Sequence, residues 1–253
     1  IYGHAFSLHK LGLLDEAIVQ YENANKVINN SPELMNHWAI ALREKGDFES
    51  AINKIDQALV IDESLSDLYD NYGCVLYKQR KNSAAVEKFK KAIQLNGENA
   101  GTYSNLAATY AELGEFLKAE ELYKKAISLN KKLGIAYVGL CALYRDIRNV
   151  SSFRKTLQAA LEDSILSSEQ KCEIIVNNAI FYWIEGEIES CKCSISEAEE
   201  IITLCNVTDA TSNFKVYCEY LSALIEKLEQ EHSKTDHCKD MIVIGDSHSL
   251  SPA

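Results

Sequence analysis

Residues 103–130 read YSNLAATYAELGEFLKAEELYKKAISLN. Apolar residues return every three or four positions on both sides of Gly114, the pattern of two amphipathic helices joined by a tight turn. Working outward, Ala126 is one of six alanines, at Ala24, Ala58, Ala92, Ala126, Ala160 and Ala198, separated by 34, 34, 34, 34 and 38 residues. A spacing held this strictly marks a repeat array of helix pairs, each burying its apolar face on the next.

Other positions keep the same step. A small residue stands nineteen places before each alanine, at Ala5, Ala39, Gly73, Ala107, Cys141 and Ala179. Antiparallel helices leave no room for a large side chain where their axes come closest, so these slots predict close approach. Large residues fill the slots three before the alanines, at Tyr21, Ile55, Phe89, Tyr123, Leu157 and Ile195, opposite Leu8, Leu42, Leu76, Tyr110, Tyr144 and Tyr182. Gly12, Gly46, Gly114 and Gly186 mark the turns, with Arg80 and Arg148 in their place in repeats three and five. A second small slot holds Ala17, Ala51, Ala85 and Ala119 and then passes to Phe153 and Cys191, which makes repeat five the irregular one.

These slots together resemble the tetratricopeptide repeat family, over about residues 1–204. The resemblance implies an all-α fold: a right-handed superhelical solenoid of six helix pairs plus a capping helix. The pairs are expected at about 1–11 with 14–29, 33–45 with 48–61, 66–79 with 82–95, 100–113 with 116–129, 134–147 with 150–162, and 168–185 with 188–204. Phe214, Tyr217, Leu221, Leu224 and Leu228 place the cap near 209–229. The domain reading is thus an array with its cap over 1–229, a linker over 230–239, and a segment of different character over 240–253. The family's proline at the repeat end is kept only near Pro32, displaced, while Glu63, Gly97 and Lys131 stand in later copies, which predicts helix ends that fray or run on. The chain opens at Ile1 inside a repeat, as an excised fragment would, so a leader ahead of it stays open.

Composition narrows the partners. A net charge of −11 without a basic stripe argues against nucleic acid. No run approaches a membrane span. Eight cysteines lack paired CxxC spacing and several occupy small apolar slots, so reduced thiols in a cytoplasmic setting are expected, with no metal and no cofactor.

The resemblance further implies a peptide or protein ligand in a concave groove lined by the first helix of each pair. Asn71, Asn105 and Asn177 share one slot on those helices, resembling the asparagine ladder of O-linked N-acetylglucosamine transferase. An amide there can donate to and accept from a peptide backbone, or satisfy a neighbouring loop. His37 and Gly139 interrupt the ladder. Asn36, Asp70 and Lys78 complete the candidate ligand-binding set. Tyr69, Tyr103 and Tyr137 offer aromatic contact or inter-repeat packing. The basic carboxylate clamp of chaperone-binding relatives finds Asp67, Asp70, Ile135 and Gly139 in its slots, so a basic or neutral extended ligand is expected, with Arg43, Lys78 and Arg145 diluting the acidic character.

Residues 241–250, MIVIGDSHSL, form a short β-branched run that stops at a turn. This is similar to the first block of SGNH, or GDSL-type, hydrolases, and the resemblance implies Ser247 as the nucleophile slot, Gly245 at the turn and Asp246 bracing it. His248 departs from the usual leucine, and the family's histidine-bearing block has no counterpart before Ala253. Two readings stand: a truncated SGNH-like domain, or a disordered tail able to mediate self-association. Two functions follow: a binding scaffold without chemistry in this chain, or the substrate-recruiting arm of an SGNH-like hydrolase or acyltransferase beginning near residue 240. Whether the parent protein is an enzyme stays open between them.

Overall fold

The computed structural model describes residues 2–28, 30–162 and 188–204, with residues 171, 174–176, 178, 179, 182, 186, 219, 222, 223 and 226. The helices run in order: α1 (Tyr2–Lys10), α2 (Leu14–Val27), α3 (Pro32–Lys45), α4 (Phe48–Ile61), α5 (Ser66–Lys78), α6 (Asn82–Leu95), α7 (Ala100–Glu112), α8 (Phe116–Leu129), α9 (Gly134–Asp146), α10 (Val150–Glu162) and α11 (Ile188–Leu204). They match the expected bounds to within two residues. No strand occurs among the described residues. The helix expected at 168–185 falls largely outside the described residues, as does the cap at 209–229. The segment 230–253, with Ser247, and Asn177 fall wholly outside them.

The chain divides into two compact units, 1–143 and 144–253. In the first, α1 to α8 form four antiparallel hairpins. Each second helix packs on the first helix of the next pair, and α1, α3, α5 and α7 also touch their neighbours in succession. The recurring alanines Ala24, Ala58, Ala92 and Ala126 are buried, as are the large residues Tyr21, Ile55, Phe89 and Tyr123. The close approach predicted for the small slots is literal at Gly73, where a methyl group would lie 2.6 Å from the Phe89 ring. Gly139, the break in the asparagine slot, has the same cause: a methyl group there would lie 2.5 Å from the Tyr123 ring and hydroxyl.

In the second unit Tyr144, Phe153, Ala160, Ile174, Ile175, Ala179, Cys191 and Ile195 are buried. Asn178 there donates from Nδ2 to Ser194 Oγ at 3.0 Å. The Arg154 guanidinium lies 5.3 Å from the Tyr182 ring centroid and donates to its hydroxyl at 3.1 Å.

The same turn follows α1, α3, α5, α7 and α9. The backbone N–H of Leu13, Asp47, Lys81, Glu115 and Asn149 donates to the carbonyl of Leu8, Leu42, Leu76, Tyr110 and Tyr144 at 2.9–3.1 Å. This six-residue loop satisfies a terminal helix carbonyl, and it needs a left-handed residue just before the donor. Arg80 and Arg148 meet that requirement with φ of 61° and 55°. A Cβ in this region costs about 1–2 kcal/mol. Arg80 keeps an exposed ion pair to Glu112 at 2.7 Å. Arg80→Gly is therefore expected to be more stable than Arg80→Ala, which loses the same ion pair and keeps the Cβ, by about 1 kcal/mol in urea unfolding midpoints.

The helix ends do not run on. α4, α6 and α8 stop at Ile61, Leu95 and Leu129, in step with the repeat. The next residue, Asp62, Asn96 or Asn130, is extended and accepts on its side chain the N–H of Ser64, Glu98 or Lys132 at 2.8, 3.1 and 2.9 Å. This Asx turn offers the backbone an alternative to the helix and does the work expected of proline. Pro32 instead opens α3 behind its N-cap Ser31, whose hydroxyl accepts from Leu34 N at 3.2 Å.

Candidate groove on the first helices

The first helices of successive pairs leave a groove of about 700 Å³ in the first unit. Its wall is built from Arg43, Glu44 and Lys45 at the end of α3, Cys74, Tyr77 and Lys78 at the end of α5, Asn105 and Ala108 on α7, and Ile135 at the start of α9, with Phe48 and Phe89 behind them. Helical spacing explains the set, because residues three and seven apart share a face: Cys74 and Lys78 follow Asn71, and Ala108 follows Asn105. Counting from the asparagine slot in this way was the available sequence signal for Cys74 and Ala108. Glu44, Lys45, Phe48 and Tyr77 are the groove residues that the sequence did not nominate.

The asparagines are joined across repeats. Asn71 Nδ2 donates to Asn36 Oδ1 at 2.9 Å, and Arg43 Nη1 donates to Asn71 Oδ1 at 3.2 Å. One pair further on, Asn105 Nδ2 donates to Asp70 Oδ1 and Oδ2 at 3.2 and 3.4 Å and lies 3.4 Å from Cys74 Sγ. Both links connect positions 35 apart, so the amides form a stitch between consecutive first helices. Asn71 retains one amide hydrogen, and Asn105 retains its carbonyl oxygen.

Asp70 is held above the usual carboxylate range by burial first, with the Asp67 charge adding; hydrogen bonds from Asn105 and Thr102 and the Arg43 charge act in the opposite direction. Burial and then the neighbouring Asp70 push the Cys74 thiol up to about 12. It stays protonated at neutral pH, which makes it a poor nucleophile and a poor metal ligand. Among the described residues no cluster of three or more His, Cys, Asp or Glu side chains is placed to hold a metal ion.

The charge of the wall differs from the sequence expectation. Asp70 is satisfied by Asn105 and Thr102 at the helix contacts, and Asp67 is exposed away from the groove. The cations facing it are Arg43, Lys45 and Lys78. Lys45 is paired with Asp15 at 2.5 Å, and Arg43 lies 3.8 Å from Glu44. Glu44 is itself bound by His9 Nε2 at 3.0 Å, and His9 Nδ1 lies 3.4 Å from the Tyr21 hydroxyl. Of the aromatic trio, Tyr137 is buried and Tyr69 is half-buried with Lys88 and Lys91 each 6.0 Å from its ring centroid. Tyr103 is half-buried. None of the three lines the groove.

Residues 73–114 match the family described as TPR repeat, and residues 100–133 match Tetratricopeptide repeat. No curated protein matches the chain. Among solved structures, MamA is 26% identical, with 63% of this chain and 94% of that one covered at a TM-score of 0.53. A tetratricopeptide repeat protein from Parabacteroides merdae is 16% identical, covering 87% of this chain and 82% of its own at a TM-score of 0.67. YrrB, described as a TPR protein with an unusual peptide-binding site, is 18% identical, covering 72% and 91% at a TM-score of 0.52. Among the described residues no helix is long and apolar enough to cross a membrane. The chain thus carries tetratricopeptide repeats, matched directly at residues 73–133 and continued in the same all-α solenoid fold by the helical hairpins around them.

Proposed function

We propose that this chain is a protein-interaction scaffold that holds an extended peptide or a protein surface in the groove of its first helices. The observation that carries this reading is the groove itself, open to solvent and walled by four successive first helices. First helices about 10 Å apart give a run of roughly 30 Å, enough for about ten extended residues. Asn105 and Lys78 stand in that wall, and the spare carbonyl of Asn105 suits a peptide backbone, with Asn71 behind it. Asn36 and Asp70 act behind them. The description of YrrB as a protein of this fold with a peptide-binding site supports a peptide as the class of ligand.

The reading includes no chemistry in this chain and a cytoplasmic setting, supported by free thiols at Cys74, Cys141 and Cys193. The alternative, a recruiting arm for an SGNH-like hydrolase or acyltransferase, rests on the sequence at 241–250 alone. The test is a peptide array probed with the chain, with Ile135→Glu, which places a charge on the groove's exposed apolar wall, and with Val60→Glu, on the exposed outer face of α4. Capture is expected to survive Val60→Glu and to fall with Ile135→Glu. Equal capture by all three would remove the groove from consideration.

A further inference from the structure

We propose that the groove selects segments in which an acidic side chain neighbours an apolar one, with Lys78 and Arg43 taking the carboxylate and Asn71 holding Arg43 in place. This rests on the groove reading and reverses the charge expected from the sequence.

Lys78 is exposed and lines the groove, and no carboxylate lies within ion-pair distance of it among the described residues. The other cations of the wall are committed differently. Lys45 is turned to Asp15, while Arg43 reaches Asn71 through Nη1 and has only the longer contact to Glu44 through Nη2. The two acids nearest this charge have partners of their own: Glu44 binds His9 Nε2 and lies 3.8 Å from Arg43, and Asp70 accepts from Asn105 and Thr102 between the helices. What the wall offers an incoming chain is therefore Lys78 on α5, without a carboxylate in ion-pair reach, with Arg43 on α3 held near it by Asn71 and Glu44.

Beside them Tyr77 and Ile135 supply the apolar surface; Ile135 is 56% exposed. A carboxylate would gain two charge-assisted hydrogen bonds while its apolar neighbour covers Ile135. Asn71 does not need to touch the ligand in this scheme. Its carbonyl accepts from Arg43 and its amide is tied to Asn36, so it is a positioning residue that fixes a long, otherwise mobile guanidinium at the wall.

The experiment uses a random library of peptides about ten residues long, matching the groove span, acetylated and amidated so that every carboxylate is a side chain. The chain, Lys78→Glu, Lys78→Gln, Asn71→Ala and Ile135→Glu are each panned against it, with circular dichroism confirming equal helicity. The wild-type pool is expected to be enriched in Asp or Glu next to Leu, Ile, Val or Phe. Affinity of the best acidic peptide should fall roughly three- to tenfold with Lys78→Gln, further with Lys78→Glu, and in the same range with Asn71→Ala. Its Glu→Gln version should be insensitive to all three changes.

A wild-type pool enriched in Lys and Arg, or without charge preference, overturns this proposal and leaves the groove reading standing. A pool that ignores both Lys78→Glu and Ile135→Glu overturns the groove reading as well. An acidic pool whose affinity is unchanged by Asn71→Ala removes the positioning role.

Discussion

Phe89→Ala is expected to cost about 3–5 kcal/mol of stability, since the ring is buried and its loss leaves a cavity that helix backbones cannot collapse around. The informative companion is Gly73→Ala. Its new methyl group would sit 2.6 Å from the ring, so on its own it should cost about 1–3 kcal/mol through overpacking. In the Phe89→Ala background the same methyl enters the vacated space. The double variant should then be more stable than the sum of the two losses by about 1–3 kcal/mol, read from urea unfolding curves. Strict additivity would mean that glycine at this slot is not there to admit the ring.

The second large effect separates two roles for Asn105. If its amide mainly satisfies Asp70, Asn105→Ala strips a donor from a half-buried carboxylate and should cost about 1–3 kcal/mol at neutral pH. The sign with pH follows from the direction of the Asp70 shift. Its folded value is raised above the ordinary 3.8, and losing Asn105 raises it further. A raised carboxylate contributes its full share below the unfolded value and loses it as pH rises through the folded one. The deficit of Asn105→Ala should therefore be largest near pH 7, shrink as pH falls through the two raised folded values, and be gone by about pH 3.8. Adding Asp70→Asn, which needs no charge solvation, should recover most of it at neutral pH. A variant as stable as the wild type at pH 7 that has lost peptide capture would assign Asn105 to the ligand instead.

The helix bounds were legible because the period is local information. Small, large and turn residues each recur every 34 positions, and a helix pair needs nothing beyond its own stretch and its two neighbours to form. The Asx turns at Asp62, Asn96 and Asn130 recur at the same step and act by an equally local mechanism. Arg80 and Arg148 are the opposite case. Their side chains gave no sign of left-handed backbone, and the turn imposes it because the five hairpins close on the same carbonyl.

The groove was legible only as a slot. Position in the repeat puts Asn71, Asn105 and Lys78 on first helices, yet it does not say which side chain faces the groove and which turns to the adjacent helix. Asn36, Asn71, Asp70 and Asn105 meet across 35 residues, and a charge summed along the chain treats Asp70 as exposed when it is hydrogen-bonded between helices. Periodicity by itself determined the hairpins, their length and the faces they bury, because those depend on interactions within a turn of helix or between adjacent helices. Which polar groups spend their hydrogen bonds on one another, and so what charge is left for a partner, was decided only when consecutive helices came within reach of each other's side chains.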